Sequence, residues 1–395
     1  MPSPLFLDLT HTSHTRARTG VQRVSRALEG GLAGRCTPVA FDPYEGAWRP
    51  LEAWEEANLK SADPAKGRSS RWPIGARVRG EVRRLRRRQD MLAAAPAAAL
   101  GGLIVPEIFS QDVADALPSL FAATGGPRVA VFHDALALQF PEFTPRSTVS
   151  RFPGYLRDLL AFDGVAAVSE TSRASLLGYW RWLGATRVPE VVAIALGTDP
   201  APSASPTAAA PDPPIVLCVS SIEGRKNHAA LLDACERLWS SNARFQLRLV
   251  GLANMETGAE AIRLLEKLRT AGRPIRYDGP ATDTELEAAY RECSFTIYPS
   301  LAEGFGLPVA ESLARGKPCL CRLDGATGEI ARQGGCVGIG SGEAGAIAAA
   351  LGGVLSSPAQ LVALETEARG RRFRTWPEYI SEFTAWMGGV RRSAQ

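Results

Sequence analysis

Short apolar runs recur along the chain, each ending in a polar or glycine-rich exit and each followed by apolar residues at helical spacing. Leu5-Phe6-Leu7-Asp8-Leu9 reads as a first strand, and Val21, Val24 and Leu28 after Gly20 share one helix face. Val129-Ala130-Val131-Phe132 delivers His133-Asp134 at its end, and Val165-Ala166-Ala167-Val168 runs into Ser169-Glu170-Thr171, where Ser169 or Thr171 is an N-cap candidate for a helix carrying Leu176, Leu177 and Trp180. Ile215-Val216-Leu217-Cys218-Val219, Leu247-Arg248-Leu249-Val250, Ile275-Arg276-Tyr277, Phe295-Thr296-Ile297-Tyr298 and Lys317 to Leu323 repeat the pattern. Thr282 and Glu285 form a capping-box pair, and Glu329 is expected to start a helix. Both halves thus repeat strand–loop–helix units, which predicts an α/β fold with two Rossmann-like domains.

Pro200 to Pro214, with Pro202, Pro206, Pro211 and Pro213 among alanines and serines, sustains neither a helix nor a central strand. The expected organisation is therefore an N-terminal domain over 1–199, a linker over 200–214 and a second domain over 215–376. A final segment, 377–395, presents Tyr379, Phe383 and Trp386 as a packing stripe.

The richest stretch is Pro299-Ser300-Leu301-Ala302-Glu303-Gly304-Phe305-Gly306-Leu307-Pro308-Val309-Ala310-Glu311. Its glycines let backbone approach a ligand, Pro308 suits a helix's first turn, and a helix N-terminus attracts anions. Glu303 and Glu311 would not hold phosphate; as carboxylates they accept hydrogen bonds from hydroxyls on the same ligand. Phosphate plus hydroxyls suggests a sugar nucleotide. A second phrase, Glu223-Gly224-Arg225-Lys226-Asn227-His228, sets two cations just before a helix N-terminus, where the dipole disfavours them unless an anion binds there. As an exposed charge, Lys226 is expected to contribute little to fold stability.

Glu303, seven intervening residues and Glu311 around Gly-Phe-Gly-Leu-Pro resemble the E-x7-E signature of the retaining GT-B glycosyltransferases of family 4, and Gly224-Arg225-Lys226-Asn227-His228 resembles that family's second diagnostic phrase. The resemblance implies a GT-B fold whose two domains face an interdomain cleft, with the last segment crossing back onto the N-terminal domain. It implies Glu303 against the donor sugar, Glu311 on the ribose hydroxyls, Phe305-Gly306-Leu307 on sugar and phosphate, and Arg225 and Lys226 on the diphosphate. It also implies His133 toward the donor sugar, Asp134 on the acceptor side, and Gly251 and Gly279 lining the base pocket. Family members often carry paired glycines for donor phosphate after the first strand; this chain has Thr19-Gly20, which leaves Gly20 alone in that role. Thr-Gly-Val-Gln-Arg-Val resembles bacterial members that build surface polysaccharides. In the same loop, His11 and His14 read equally as site residues or as solvated ones.

The implied reaction moves a hexose-type sugar from a nucleotide-sugar to a glycan or lipid-linked glycan with retention of configuration. No cofactor is expected, the nucleotide-sugar being a substrate. No two aspartates stand one residue apart, so no Asp-x-Asp metal site is expected and fixed cations would stabilise the leaving diphosphate. Two competing readings use the same features: a GT-B sugar-nucleotide 2-epimerase, and a non-catalytic sugar-nucleotide-binding partner in polysaccharide assembly.

Composition changes the picture in three places. The chain has 395 residues, is 45% hydrophobic and 22% charged, and suits a globular enzyme of two domains. Seven cysteines without paired metal-ligand spacing read as reduced thiols, and the absence of a leader-like or spanning segment predicts a cytoplasmic protein. The net charge of +4 is unevenly spread. Arg68, Arg71, Arg77, Arg79, Arg83, Arg84, Arg86, Arg87 and Arg88 crowd one segment against Glu81 alone. That segment reads either as peripheral contact with anionic membrane through Arg77 to Arg88 or as a solvated, partly disordered insertion. No nucleic-acid motif accompanies it.

Overall fold

The computed structural model describes residues 4–61, 72–86, 92, 95, 100–199 and 211–392. Arg68, Arg71, Arg87, Arg88 and positions 200–210 of the expected linker lie outside them. The chain divides into two units: Met1–Ala135 with Ser150–Leu196 and Trp376–Gln395, and Leu136–Val149 with Gly197–Thr375. Residues 136–149, inside the span read as N-terminal domain, thus belong with the second unit.

In the first unit, β1 (Leu5–Asp8), β2 (Thr37–Asp42), β3 (Ala47–Pro50), β4 (Gly102–Val105), β5 (Arg128–Phe132), β6 (Gly164–Ala167) and β7 (Glu190–Ala193) form a sheet of order β3-β2-β1-β4-β5-β6-β7. Every pair is parallel except β2–β3, whose short hairpin makes the edge strand antiparallel. β1, β4, β5 and β6 are buried along their whole length, as strands covered on both faces must be. Ser169 accepts the Ser172 N–H, capping the helix Glu170–Trp182. The last helix, Trp376–Gly389, joins this unit. Tyr379 and Phe383 are buried, and Trp386 donates its indole N–H to Glu190 at 2.9 Å.

In the second unit, β8 (Ile215–Val219), β9 (Gln246–Val250), β10 (Ile275–Tyr277), β11 (Phe295–Tyr298), β12 (Cys319–Cys321) and β13 (Cys336–Gly338) form an all-parallel sheet of order β10-β9-β8-β11-β12-β13. Val216, Cys218, Leu247, Leu249, Ile297 and Leu320 build its core with Leu231, Ala234 and Cys235 of the helix His228–Ser240 and Ile347 and Leu351 of Ala344–Leu355. The strand order reverses direction around β8 and β11. Their carboxyl ends are therefore the topological switch point, where open parallel sheets receive ligands.

Boundaries differ where turn chemistry overrides apolar pattern. The strand expected over Lys317 to Leu323 is confined to Cys319–Cys321, and Glu329 lies inside a helix that Gly325 begins. The capping box at Thr282 and Glu285 is formed. All seven cysteines are free thiols. Among the described residues, no single helix is long and apolar enough to cross a membrane. Within the arginine-rich segment the described residues include a regular helix, Ile74–Leu85.

Candidate active site

β11 ends at Tyr298, and the chain turns through Pro299 to Gly306 before the helix Leu307–Ala314 begins. Gly306 sits at φ 105°, a left-handed conformation that glycine tolerates, and a Cβ there would come within 3.0 Å of Thr327 Cγ2. Phe305 packs against the cluster that contains Tyr298, Val309 and Ala310, and Leu307 is buried. Glu311 is buried one turn further on and accepts from the Tyr290 hydroxyl at 3.4 Å.

Arg225 and Lys226 come from the exit of β8. Gly224–Lys226 is a single 3-10 turn, and Asn227, at φ 60°, redirects the chain into the helix His228–Ser240. Two bonds clamp this turn: the Leu301 N–H donates to the Arg225 carbonyl at 2.9 Å, and Asn227 Nδ2 donates to the Gly342 carbonyl at 2.8 Å. The exits of β8 and β11 are thereby tied together, and their charged side chains meet. Lys226 Nζ lies 2.5 Å from Glu303 Oε1, and Arg225 Nη1 lies 3.0 Å from Glu303 Oε2. Arg225 Nη2 also reaches Glu223 Oε1 at 3.0 Å. The Tyr298 hydroxyl accepts from Lys226 and donates to Glu303 Oε1 at 2.8 Å.

Burial opposes ionisation of Glu303, but the adjacent charges of Lys226 and Arg225 outweigh it and hold the carboxyl at about 2. Burial and the Arg225 charge push Lys226 below its ordinary range, while Glu303 and Glu223 pull it back. Burial and the Glu303 charge drive Tyr298 well above its usual value, and His228, buried beside Lys226, falls to about 4. Near neutral pH the cluster is two carboxylates against two cations with a neutral phenol bridging them. Lys226 is 7% exposed, which corrects its reading as a surface charge. Two members, Glu223 and Tyr298, escaped selection from the sequence. Tyr298 is the last residue of an apolar strand and its hydroxyl is the polar atom delivered to the turn, a position that could have drawn attention.

Gly251 and Gly279 meet each other at the exits of β9 and β10, where the Gly251 N–H donates to the Gly279 carbonyl at 2.8 Å. Gly251, at φ 146°, passes so close to Ser220 that an added Cβ would stand 2.1 Å from its carbonyl oxygen. The exits of β9 and β8 thus approach each other through small residues.

Gly20, His133 and Asp134 belong to the first unit. Gly20 opens the helix Gly20–Gly31. His133 is buried and bonds through Nε2 to the Pro106 carbonyl at 2.8 Å, which makes Nε2 the protonated nitrogen, and burial pushes its pKa down. Asp134 is half-buried, and its charge helps raise the buried Tyr155 phenol. His14 is neither solvated nor free: it is buried, bonds Glu55 at 2.6 Å and stacks on Trp54. His11 is exposed and meets Gln22 at 3.3 Å.

Glu107, just past β4, accepts the backbone N–H groups of His11 at 2.7 Å and Thr12 at 2.8 Å, fixing the loop after β1. Asp8, at the end of β1, accepts from the Thr10 N–H and hydroxyl at 2.9 and 2.6 Å. Neither carboxyl was singled out from the sequence, although Leu103-Ile104-Val105-Pro106-Glu107 repeats the strand-exit pattern of His133. Burial, with the Glu107 charge, pushes Asp8 up to about 7, and burial raises Glu107 as well. A carboxyl raised above its unfolded value near 3.8 keeps its proton longer in the folded state, so stability falls as pH climbs from that value to about 7 and levels off above. Asp8→Asn retains an acceptor for Thr10 without the charge. The variant is expected to melt above the parent at pH 8 and to lose that advantage at pH 4; equal shifts at both pH values in a thermal scan would contradict the buried-pair account.

Residues 203–371 match the family described as Glycosyl transferases group 1. The chain is similar to the serotype-specific mannosyltransferase WbdA of Escherichia coli, 27% identical over 350 residues, covering 83% of this chain and 40% of the relative. It is also similar to the Escherichia coli O-antigen chain mannosyltransferase B, 29% identical over 203 residues, covering 49% of this chain and 52% of the relative. The chain thus spans about two fifths of the length of WbdA. Among solved structures, sucrose-phosphate synthase from Thermosynechococcus elongatus superposes with a TM-score of 0.67 at 19% identity, covering 97% of this chain and 98% of that one. HepE from Anabaena, in complex with UDP and glucose, superposes with a TM-score of 0.68 at 14% identity, covering 99% and 100%. The fold is that of GT-B glycosyltransferases.

Proposed function

We propose that this chain is a retaining, metal-independent glycosyltransferase of family 4 that moves a hexose from a nucleotide-sugar to a glycan or lipid-linked glycan. The observation that carries the reading is the buried cluster of Arg225, Lys226, Glu303 and Tyr298 at the β8 and β11 exits. The match to glycosyl transferases group 1 supports it, and the curated relatives, both named mannosyltransferases, make mannose the first sugar to test. Arg225 and Lys226 take the donor diphosphate and stabilise the charge that grows on it as the glycosidic bond breaks. Glu303, released from those cations, accepts hydroxyls of the donor sugar. Glu311 takes the ribose hydroxyls, the backbone of Phe305, Gly306 and Leu307 meets sugar and phosphate, and Gly251 and Gly279 border the base. Gly20 and His133 act toward the donor and Asp134 toward the acceptor.

Retention follows from front-face attack, with the donor phosphate taking the acceptor's proton, because no residue is identified as a protein nucleophile. The cations already in the cluster supply what a divalent ion would otherwise provide. Transfer from a nucleotide-sugar is therefore expected to continue unchanged in EDTA. Loss of transfer that Mg²⁺ or Mn²⁺ restores would overturn the metal-independent part of the proposal. In this reading the enzyme works at the cytoplasmic face of a membrane when its acceptor is lipid-linked.

A further inference from the structure

The helix Ile74–Leu85 in the first unit is built the wrong way round for a helix that belongs only to a globular surface. It docks through its two small buried residues, Ala76 and Gly80. A Cβ at Gly80 would stand 2.8 Å from Tyr44 Cβ and 3.0 Å from Asp42 Oδ1, so only glycine permits this approach. Arg79 pairs with Glu52 at 2.6 Å, and Arg83 pairs with Glu52 at 2.8 Å and with Glu45 at 3.5 Å. The Arg77 guanidinium lies 5.8 Å from the Tyr44 ring. Small residues and ion pairs thus hold the helix down, where apolar side chains would ordinarily do so.

Its large apolar side chains point away from the body. Ile74, Val78, Val82 and Leu85 are 79%, 57%, 39% and 83% exposed. At helical spacing they fall within roughly a quarter of the circumference, opposite Ala76 and Gly80. They are four of the ten large apolar side chains exposed among the described residues, which makes this stripe a continuous patch rather than scatter. Arg77, Arg84 and Arg86 are exposed along its margins, against the single carboxylate of Glu81.

We propose that this face inserts into the headgroup–acyl boundary of an anionic bilayer, with Ile74, Val78, Val82 and Leu85 among the acyl chains and Arg77, Arg84 and Arg86 at the phosphates. Charge selects this occupant. A second copy of the chain meeting the same face would bring arginines against arginines, whereas anionic lipid satisfies both margins and the stripe together. Isolated helices of this length are marginal in water, so holding this one preformed removes the ordering cost that a free amphipathic segment meets on binding. The anchor also touches the loop after β1: Trp72, just ahead of the helix, packs on the His14 ring at 4.2 Å. The inference deepens the lipid-linked branch of the proposed function but rests on the surface of the first unit alone.

The test is co-sedimentation of the full chain with vesicles of phosphatidylcholine alone and with phosphatidylglycerol added. The parent is expected to sediment with the anionic vesicles. The variant Ile74→Ser/Val78→Ser/Leu85→Ser keeps every charge and changes only exposed side chains, so its melting temperature should hold while its partition falls roughly tenfold or more. Arg77→Gln/Arg84→Gln/Arg86→Gln should also weaken binding. Salt should weaken the parent only in part, because screening acts on the arginines and not on the stripe. Parent protein left in the supernatant, equal partition of parent and serine variant, or a salt-stable dimer that the serine variant splits would each overturn the proposal. Donor hydrolysis measured on the same samples keeps the two readings separate: vesicle binding without hydrolysis leaves the anchor standing, and hydrolysis without vesicle binding leaves the transferase standing.

Discussion

Lys226→Ala is expected to lower transfer from a nucleotide-sugar by about two to three orders of magnitude while the protein remains folded. In the proposed reaction the loss in rate follows from the charge that builds on the departing diphosphate, which Lys226 would meet from a fixed, buried position. The effect on stability is less than breaking an isolated buried pair would give. Arg225 still holds Glu303 at 3.0 Å, and the Tyr298 hydroxyl still donates to it at 2.8 Å. The carboxylate therefore keeps a cation and a donor, and the expected cost is about 1–3 kcal/mol, read as a modest fall in denaturation midpoint. Turnover within threefold of the parent would remove Lys226 from the chemistry, and collapse of the fold would make its role structural.

Glu303→Gln is expected to separate binding from turnover. In the free protein Glu303 pairs with both Arg225 and Lys226, and in the proposed reaction the donor's diphosphate displaces the carboxylate from them. Glutamine keeps the side chain's size and an acceptor for Tyr298 but removes the charge facing Arg225 and Lys226, while Arg225 keeps its pair with Glu223. A nucleoside diphosphate without sugar should bind this variant roughly tenfold or more tightly, since the competing internal charge is gone. Sugar transfer should fall by about two orders of magnitude or more, because the group that accepts the donor's hydroxyls has lost its charge. Calorimetric titration with GDP and UDP beside a transfer assay reads both. Weaker diphosphate binding in the variant would mean that Glu303 does not compete for those cations.

Much of this site could be read from residue order. The strand ending at Tyr298, the glycine turn and the helix after it are a local pattern, and so is the turn before His228 that carries Arg225 and Lys226. What local pattern cannot carry is the pairing of those two exits. Their adjacency comes from the neighbouring positions of β8 and β11 in the sheet, made across residues far apart in sequence. The burial of Lys226 follows from that adjacency, which is why a residue that reads as surface charge beside Glu223, Arg225 and Asn227 is enclosed. Glu107 was missed for a similar reason. Its importance lies in two backbone bonds to His11 and Thr12, and a backbone bond leaves no mark on composition. The helix Ile74–Leu85 was obscured differently: the density of arginines hid an apolar period beneath it, and its docking face consists of alanine and glycine rather than the large residues that mark a buried side.

The central claim is that this cluster breaks the bond between a sugar and a nucleoside diphosphate. It is tested most directly by proton NMR of the purified chain with GDP-mannose and UDP-glucose, without acceptor, followed in time. Slow release of nucleoside diphosphate and free sugar from at least one donor is expected, absent in Lys226→Ala. A donor epimerised at C2, or both donors intact after prolonged incubation although bound, would contradict it.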